Sequence, residues 1–307
     1  MSTLAAHDLS SQTAIDRSQQ LQLFLDDFRN SRHLLQTQLL SMRLNALDEL
    51  DAILGDFDPE GLKTCCDPEL IARANTLRSQ LEAANETLYE AARAEISLKG
   101  NSPAMDRWFT ALARNRGAEG PRPGLGFDLL DEIVTGVLQL RGPGEAGPLP
   151  SPEMTAYQPT PARHILHLIA VCNLSNDDVL VDLGSGLGHV PLLVSILTGT
   201  RTLGIEVQTD HAASAQEAAQ SLSLTRVRFT AEDVRRTDLS IGTVFYMFTP
   251  FKGSIFTEVL HNLWKQSKDR QIRICSLGPC TRILQSQTWL RAIRPPDTER
   301  ITVFESR

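Results

Sequence analysis

Apolar residues recur every three or four positions through the first part of the chain. One such stripe runs from Leu21 to Ile53 and stops at the turn-forming stretch "GDFDPEG". This spacing predicts an amphipathic helix. A second helix is predicted after Asp67, which can act as its N-cap, with Pro68 at the first helical position and Gly100 as the C-terminal stop.

Two shorter helices are predicted before residue 141. One begins with Ser102 as cap and Pro103 at the first helical position and ends by Gly117, and the other is "FDLLDEIVTGVLQL". We interpret the four segments as an intramolecular helical bundle, because turn residues interrupt the stripe repeatedly. The alternative is a helical surface for a partner or a dimer through residues 21–100.

The pattern changes at "RGPGEAGPLPSPEM", which contains four prolines and three glycines. Such a stretch predicts a linker. We therefore divide the chain into a helical domain over 1–140, a linker over 141–154 and a second domain over 155–307.

Short β-type segments alternate with helical ones in the second domain. Alternation of this kind predicts an α/β fold with a doubly wound, mostly parallel seven-stranded sheet, in which ligands bind at the carboxyl ends of the strands. The last two segments, "WLRAI" and "RITVFESR", predict a hairpin with an antiparallel edge strand.

Composition and charge disfavour nucleic-acid binding and membrane insertion. The 307 residues carry a net charge of −7 without a basic run, which disfavours tight nucleic-acid binding. No apolar stretch reaches the roughly 20 residues of a membrane span, and the first residues lack the apolar core of a signal peptide. The five cysteines, Cys65 and Cys66 among them, show neither a disulfide framework nor a metal-binding spacing, so we expect buried thiols and a cytoplasmic protein.

The stretch "VDLGSGLGHV" is the strongest indication of chemistry. A strand runs into Gly184, Gly186 and Gly188, whose missing side chains permit a tight turn and let a ligand approach the backbone. A dinucleotide-binding turn would place its third glycine where His189 stands. Asp182, two residues before the first glycine, suits a cationic ligand better than a pyrophosphate, and S-adenosylmethionine carries an ammonium and a sulfonium.

Acidic residues end the next two predicted strands. Glu206 can accept hydrogen bonds from two ribose hydroxyls, a role that both cofactor classes share. Asp233, followed by Val234, could accept one from an adenine amino group. Together these residues favour a nucleoside cofactor.

The motif D-x-G-x-G-x-G, the acidic end of the second strand and the final antiparallel strand resemble the class I methyltransferases over about residues 155–307. The stretch "AYQPTPARHILHLI" ahead of "LVDLGSGLGHV" further resembles the histone lysine methyltransferases without a SET domain, the disruptor-of-telomeric-silencing type. In that family a Tyr-x-x-Thr segment folds over the methionine part of the cofactor. The resemblance implies an S-adenosylmethionine site made of Tyr157, Thr160, Asp182, Gly184, Ser185, Gly186, Gly188, Glu206, Asp233 and Val234.

Two departures from that family concern the acceptor. Where the family has a polar pair after the fourth strand, this chain has Met247 and Phe248 in "VFYMFTPF", which predicts a more apolar pocket. The basic flanking segments of nucleosome-binding members are missing, which disfavours a nucleosomal substrate. The motif "FTPF" keeps only the Pro-Phe of the N-P-P-F type that grips amides and base amino groups.

Tyr246, Phe248 and Phe251 are the candidates for the wall of an acceptor pocket, with core packing as the alternative. An aromatic channel lowers the pKa of an amine by desolvation and contacts cations through ring faces. The sequence identifies no catalytic residue and no metal site. The histidines that qualify by residue type alone are His164, His167, His189 and His211.

These observations predict an S-adenosylmethionine-dependent methyltransferase that acts on a protein side chain, with lysine as the first candidate. One alternative is a small-molecule methyltransferase with the N-terminal helices as a lid. Another is a non-catalytic interaction module on a methyltransferase-like core, and a dehydrogenase ranks below both.

Overall fold

The computed structural model describes residues 18–28, 39–55, 67–114, 124–140, 142 and 151–307. The chain forms two compact units, residues 1–91 and 92–307. The predicted Cys65 and Cys66 thiols, the end of the third predicted helix near Gly117 and most of the predicted linker lie outside the described residues. The domain division at 141–154 therefore stays a prediction.

The first unit is helical. Its helices are α1 (18–28), α2 (Leu40–Gly55) and the first part of α3 (Pro68–Lys99). Of the predicted helix from Leu21 to Ile53, the structure describes the parts in α1 and α2, and residues 29–38 lie outside the described residues. Their apolar stripes form one core, which comprises Leu21, Leu25, Leu50, Leu54, Leu70, Ala74, Leu77 and Leu81.

The predicted start and end of α3 agree with the structure. The Asp67 carboxylate accepts a hydrogen bond from the Glu69 amide at 2.9 Å, which satisfies one of the free amides at the helix start. Gly100, with φ of +73°, follows the last residue. This left-handed conformation is one that glycine adopts at little cost, so the helix ends there.

The second unit begins with the end of α3 and the helices α4 (Pro103–Arg114) and α5 (Leu129–Leu138). Asp128 and Asp131 form a reciprocal capping box at the start of α5. The other oxygen of Asp131 accepts a hydrogen bond from the Ala162 amide at 2.6 Å. Because Ala162 begins the next helix, this bond joins α5 to the segment that enters the sheet.

A seven-stranded sheet is the centre of the second unit, and its order is β3-β2-β1-β4-β5-β7-β6. The strands are β1 (Val179–Leu183), β2 (Arg201–Glu206), β3 (Val227–Ala231), β4 (Val244–Met247), β5 (Arg273–Ser276), β6 (Leu290–Ala292) and β7 (Thr302–Ser306). The helices between them are α6 (Ala162–Cys172), α7 (His189–Thr198), α8 (Thr209–Ser221), α9 (Gly253–Asp269) and the short α10 (Cys280–Gln285). The α/β alternation and the mostly parallel sheet agree with the prediction.

The C-terminal hairpin lies at one edge of the sheet, as predicted. Within it β7 is antiparallel to both of its neighbours, β5 and β6. The antiparallel strand is therefore the second from the edge, and β6 is outermost. The helix α10, only six residues long, had no recognisable sequence pattern.

The register of the strands brings the predicted site residues together. Asp182 on β1 pairs with Gly204 on β2 and with Tyr246 on β4, and Glu206 pairs with Ala231 on β3. All four strands are parallel, so their carboxyl ends meet at one edge. No helix in the described part of the chain is long and apolar enough to cross a bilayer.

Candidate active site

A cavity of about 270 Å³ opens at the carboxyl ends of β1 to β4. Eleven of the thirteen predicted site residues line it, and Gly186 and Gly188 do not. Those that line it are Tyr157, Thr160, Asp182, Gly184, Ser185, Glu206, Asp233, Val234, Tyr246, Phe248 and Phe251.

The glycine turn is as tight as the sequence predicted, but part of its space serves side chains of the protein. Gly186 and Gly188 have φ of +52° and +86°. A Cβ on Gly186 would lie 2.1 Å from the Tyr157 ring, and one on Gly188 would lie 2.4 Å from the Phe229 ring. These two glycines therefore make room for aromatic rings that pack on the turn.

Asp182 is a buried carboxylate without a neutralising partner. The residue is 3% exposed, and its carboxylate makes no hydrogen bond or ion pair with any residue that the structure describes. Burial, and then the charge of Glu206, raise the pKa of Asp182 well above its usual range. An unpaired buried charge is costly, and a cation in the cavity would offset that cost.

Glu206 is held in place by the backbone around it. Its carboxylate accepts hydrogen bonds from the Gly186 amide at 2.8 Å and from the Gln208 amide at 2.9 Å, one on each oxygen. Each oxygen keeps a second acceptor position. The group can thus receive two hydroxyl donors without rearrangement.

The Asp233 carboxylate is bound by Arg235, a residue that the sequence analysis did not identify. The Arg235 guanidinium donates to both carboxylate oxygens at 2.5 to 3.1 Å, and the Arg235 amide donates at 3.0 Å. Arg235 lowers the pKa of Asp233. The adenine-binding role of Asp233 stays a prediction, because the structure occupies its acceptor positions with Arg235. An arginine two residues after the carboxylate was the available sequence indication.

Tyr157 lies on the glycine turn. Its hydroxyl is 3.0 Å from Nδ1 of His189. The ring centroid of His211 is 5.1 Å from that of Tyr157. Burial raises the pKa of Tyr157.

Thr160 and Tyr246 form a second polar contact at the cavity. Their hydroxyl oxygens are 3.0 Å apart, and both side chains are buried. Burial raises the pKa of Tyr246 well above its usual range. The predicted wall residue Tyr246 is therefore a neutral, hydrogen-bonded group beside Asp182.

The wall after β4 is apolar. Phe248 is half-buried and lines the cavity together with Phe251, whereas Met247 is fully buried in the core on the other side of the strand. Thr249, with φ of +43°, shapes the turn that follows: its hydroxyl donates to the Leu277 carbonyl and accepts from the Cys280 amide, both at 3.2 Å. Phe251 also packs on Phe256 at a centroid distance of 5.8 Å, so it belongs to core and cavity alike.

The cavity is acidic. The ionisable carboxylates on its lining are Asp182, Glu206, Glu232 and Asp233, and the described lining contains no lysine or arginine. The Ser185 hydroxyl is buried there without a hydrogen-bond partner in the described part of the chain. An unpaired carboxylate, an unpaired hydroxyl and a preset Glu206 fit a cationic nucleoside ligand such as S-adenosylmethionine.

The four histidines differ in their relation to the cavity. His189 lines it, and the His211 ring packs against Tyr157 in a tilted orientation. In contrast, Nε2 of His164 is 2.8 Å from the Gly124 carbonyl, and His167 is not part of the lining. Burial lowers the pKa of His164 and of His167 and brings that of His189 down to about 4. The sequence pattern alone carried no indication of the contact between Tyr157 and the two histidines.

Comparison with protein families gives one match. The model of the family described as "Histone methylation protein DOT1" matches residues 154–242, which contain the Tyr157 segment, the glycine turn and the ends of β2 and β3. No curated protein matches the chain in sequence.

Solved structures resemble the fold at low identity. An RNA methyltransferase from Salinibacter ruber in complex with S-adenosyl-L-homocysteine is 24% identical, with a TM-score of 0.40, over 48% of this chain and 92% of that one. A precorrin-6y C5,15-methyltransferase from Geobacter metallireducens GS-15 is 12% identical, with a TM-score of 0.38, over 50% and 92%. MtNAS in complex with MTA and tNA is 14% identical, with a TM-score of 0.37, over 94% and 96%.

Proposed function

We propose that this chain, an S-adenosylmethionine-dependent methyltransferase with features of the DOT1 family, transfers the methyl group to a protein side chain, with lysine as the first candidate. The observation that carries the proposal is one cavity with an acidic wall, formed by residues at the ends of β1, β2 and β3, and an aromatic wall, formed by residues at the end of β4. The first wall suits the cationic cofactor, and the second suits the apolar stem of a long side chain.

The cofactor supplies an electrophilic methyl group on a sulfonium. We assign Asp182 to its positively charged part and Glu206 to its ribose hydroxyls. The full set that we propose for cofactor binding is Tyr157, Thr160, Asp182, Gly184, Ser185, Gly186, Gly188, Glu206, Asp233 and Val234.

On the acceptor side, the protein orients a nucleophile and excludes water. Phe248 and Phe251 supply apolar surface, and Tyr246 adds a ring whose hydroxyl is already held by Thr160. An ammonium that lies against these aromatic residues loses hydration, which lowers its pKa. The lower pKa favours the neutral amine, which can attack the methyl group. We assign no general base, and we expect the proton to leave to solvent before transfer.

The proposal is tested by locating the methyl group. The purified chain is incubated with tritiated methyl donor and a cell extract that has been divided by filtration into macromolecules and small molecules. We expect label in the macromolecular fraction that protease releases and nuclease does not, with N-methyl-lysine after acid hydrolysis. The Asp182→Asn variant is the control for a weakened cofactor site, and the Phe248→Ala variant is expected to lose most of the transfer while keeping cofactor affinity.

Label in the small-molecule fraction would replace the protein acceptor with a metabolite. Label that nuclease releases would mean a nucleic-acid acceptor. Cofactor binding without transfer to either fraction would favour the non-catalytic module.

A further inference from the structure

Three residues contact Tyr157. Its ring lies against Gly186, where a Cβ would be 2.1 Å away, and the His211 ring packs against it in a tilted orientation, with a centroid distance of 5.1 Å and an interplanar angle of 47°. Its hydroxyl is 3.0 Å from Nδ1 of His189. A loop residue ahead of α6 is thus attached both to the turn after β1 and to the helix after β2.

The contact between the Tyr157 hydroxyl and Nδ1 of His189 bears on the tautomer of His189. The phenol carries one hydrogen that it can donate, and Nδ1 of His189 lies within hydrogen-bond distance as an acceptor. Donation by the phenol requires a neutral imidazole with its hydrogen on Nε2. In the opposite tautomer Nδ1 would be the donor, and the phenol hydrogen would lose this acceptor.

His211 holds the ring from a different direction. It is 3% exposed, and its Nδ1 is buried without a hydrogen-bond partner in the described part of the chain. A buried imidazole with an unpaired nitrogen gains little from polar contacts here. Its contribution is the ring contact with Tyr157.

We propose that His189 and His211 are positioning residues that fix Tyr157 against the glycine turn and thereby close the cofactor cavity. This inference rests on the cofactor site of the proposed function and is independent of the acceptor. His189 acts through an accepted hydrogen bond and His211 through ring contact, so each has its own conservative substitute. Glutamine at position 189 keeps a hydrogen-bond acceptor for the Tyr157 hydroxyl, and phenylalanine at position 211 keeps an aromatic ring against Tyr157.

The first test uses the protein without cofactor. Nitrogen-15 NMR of the histidine rings distinguishes the two neutral tautomers, and the seven histidines of the chain are assigned by substitution. We expect His189 to carry its hydrogen on Nε2 at neutral pH and to lose that preference in Tyr157→Phe. A hydrogen on Nδ1, or a tautomer that ignores Tyr157→Phe, would overturn the proposal.

The second test is a double-mutant cycle on the calorimetric dissociation constant for S-adenosylhomocysteine. We expect His189→Leu and Tyr157→Phe each to weaken binding about tenfold. The double variant should also weaken binding only about tenfold, because both substitutions remove the same hydrogen bond. His189→Gln should bind within about twofold of the parent. Loss of about a hundredfold in the double variant, or parental affinity in His189→Leu, would contradict the proposed link.

The ring contact is tested in parallel. His211→Phe should retain affinity, and His211→Ala should lose it. His167→Leu is the control, because it removes an imidazole whose Nδ1 is likewise buried without a hydrogen-bond partner among the described residues but which lies outside the lining. Equal losses in His167→Leu and His211→Ala would show a general effect of removing a buried ring. Failure of the methyl-acceptor experiment would leave all of these binding results unaffected.

Discussion

At the scale of single residues, the neighbours of two aspartates in the site decide whether the pKa of each carboxylate rises or falls. Asp182 lies in β1 and Asp233 just after β3, yet their pKa values shift in opposite directions. Asp182 is buried without a partner and its pKa rises, whereas Arg235 holds the Asp233 carboxylate and lowers its pKa. Asp182 is therefore the carboxylate that a cationic ligand would engage first.

The lowered pKa of His189 predicts that the folded chain loses stability as the pH falls. Its pKa is about 4 in the folded chain, below the ordinary value of 6.5. The unfolded chain therefore binds a proton more readily as the pH falls from about 6.5 to about 4, and stability declines over that window. The loss is at most about 3 kcal/mol, and less to the extent that the exposed edge of the ring is hydrated.

The measurement is urea unfolding at a series of pH values for the parent and His189→Gln. We expect the difference between the two to grow in favour of the variant below pH 6.5. Parallel curves down to pH 4 would mean that His189 titrates normally in the folded chain.

At the scale of elements, two glycines on either side of α7 offer a matched pair of substitutions. Gly186, in the glycine turn before α7, and Gly199, directly after α7, both have positive φ, but among the described residues a Cβ on Gly199 would meet only Asn176 Oδ1, at 3.9 Å. Alanine at either position should cost about 1 to 2 kcal/mol through the backbone. Only Gly186→Ala also displaces Tyr157, so we expect it alone to weaken S-adenosylhomocysteine binding by about tenfold or more.

Thermal unfolding and calorimetry of the two variants separate these effects. An equal change of affinity in both variants would show that backbone strain at the ends of α7, rather than the position of Tyr157, governs binding.

Elements with a strong pattern were predictable and those without one were not. The strand β1 and the helix α7 follow from an apolar run that ends in glycines. The position of β7 inside the hairpin and the short α10 depend on packing across the sheet, because neither alters the local alternation of apolar and polar residues. Among the site residues, Asp182 and Glu206 stand at strand ends that sequence alone identifies.

At the scale of the whole molecule, charge gives the clearest prediction. The net charge of −7 and the acidic cavity oppose binding to phosphate backbones. Fluorescence anisotropy with labelled single-stranded RNA and duplex DNA should show no saturable binding at about 150 mM salt. Saturable binding that weakens steeply with added salt would reopen nucleic acid as the acceptor.

The order of elements and the kinds of chemistry follow from the sequence by itself, because periodicity, turn residues and strand-end carboxylates are local properties. They were enough to predict an α/β fold with a mostly parallel sheet and a nucleoside-cofactor site after β1, and the resemblance to the class I methyltransferases added the family. The tertiary structure decided which groups are free to act. It paired Asp233 with Arg235, left Asp182 unpaired and placed Tyr157 between two histidines, because these contacts join residues that only folding brings together.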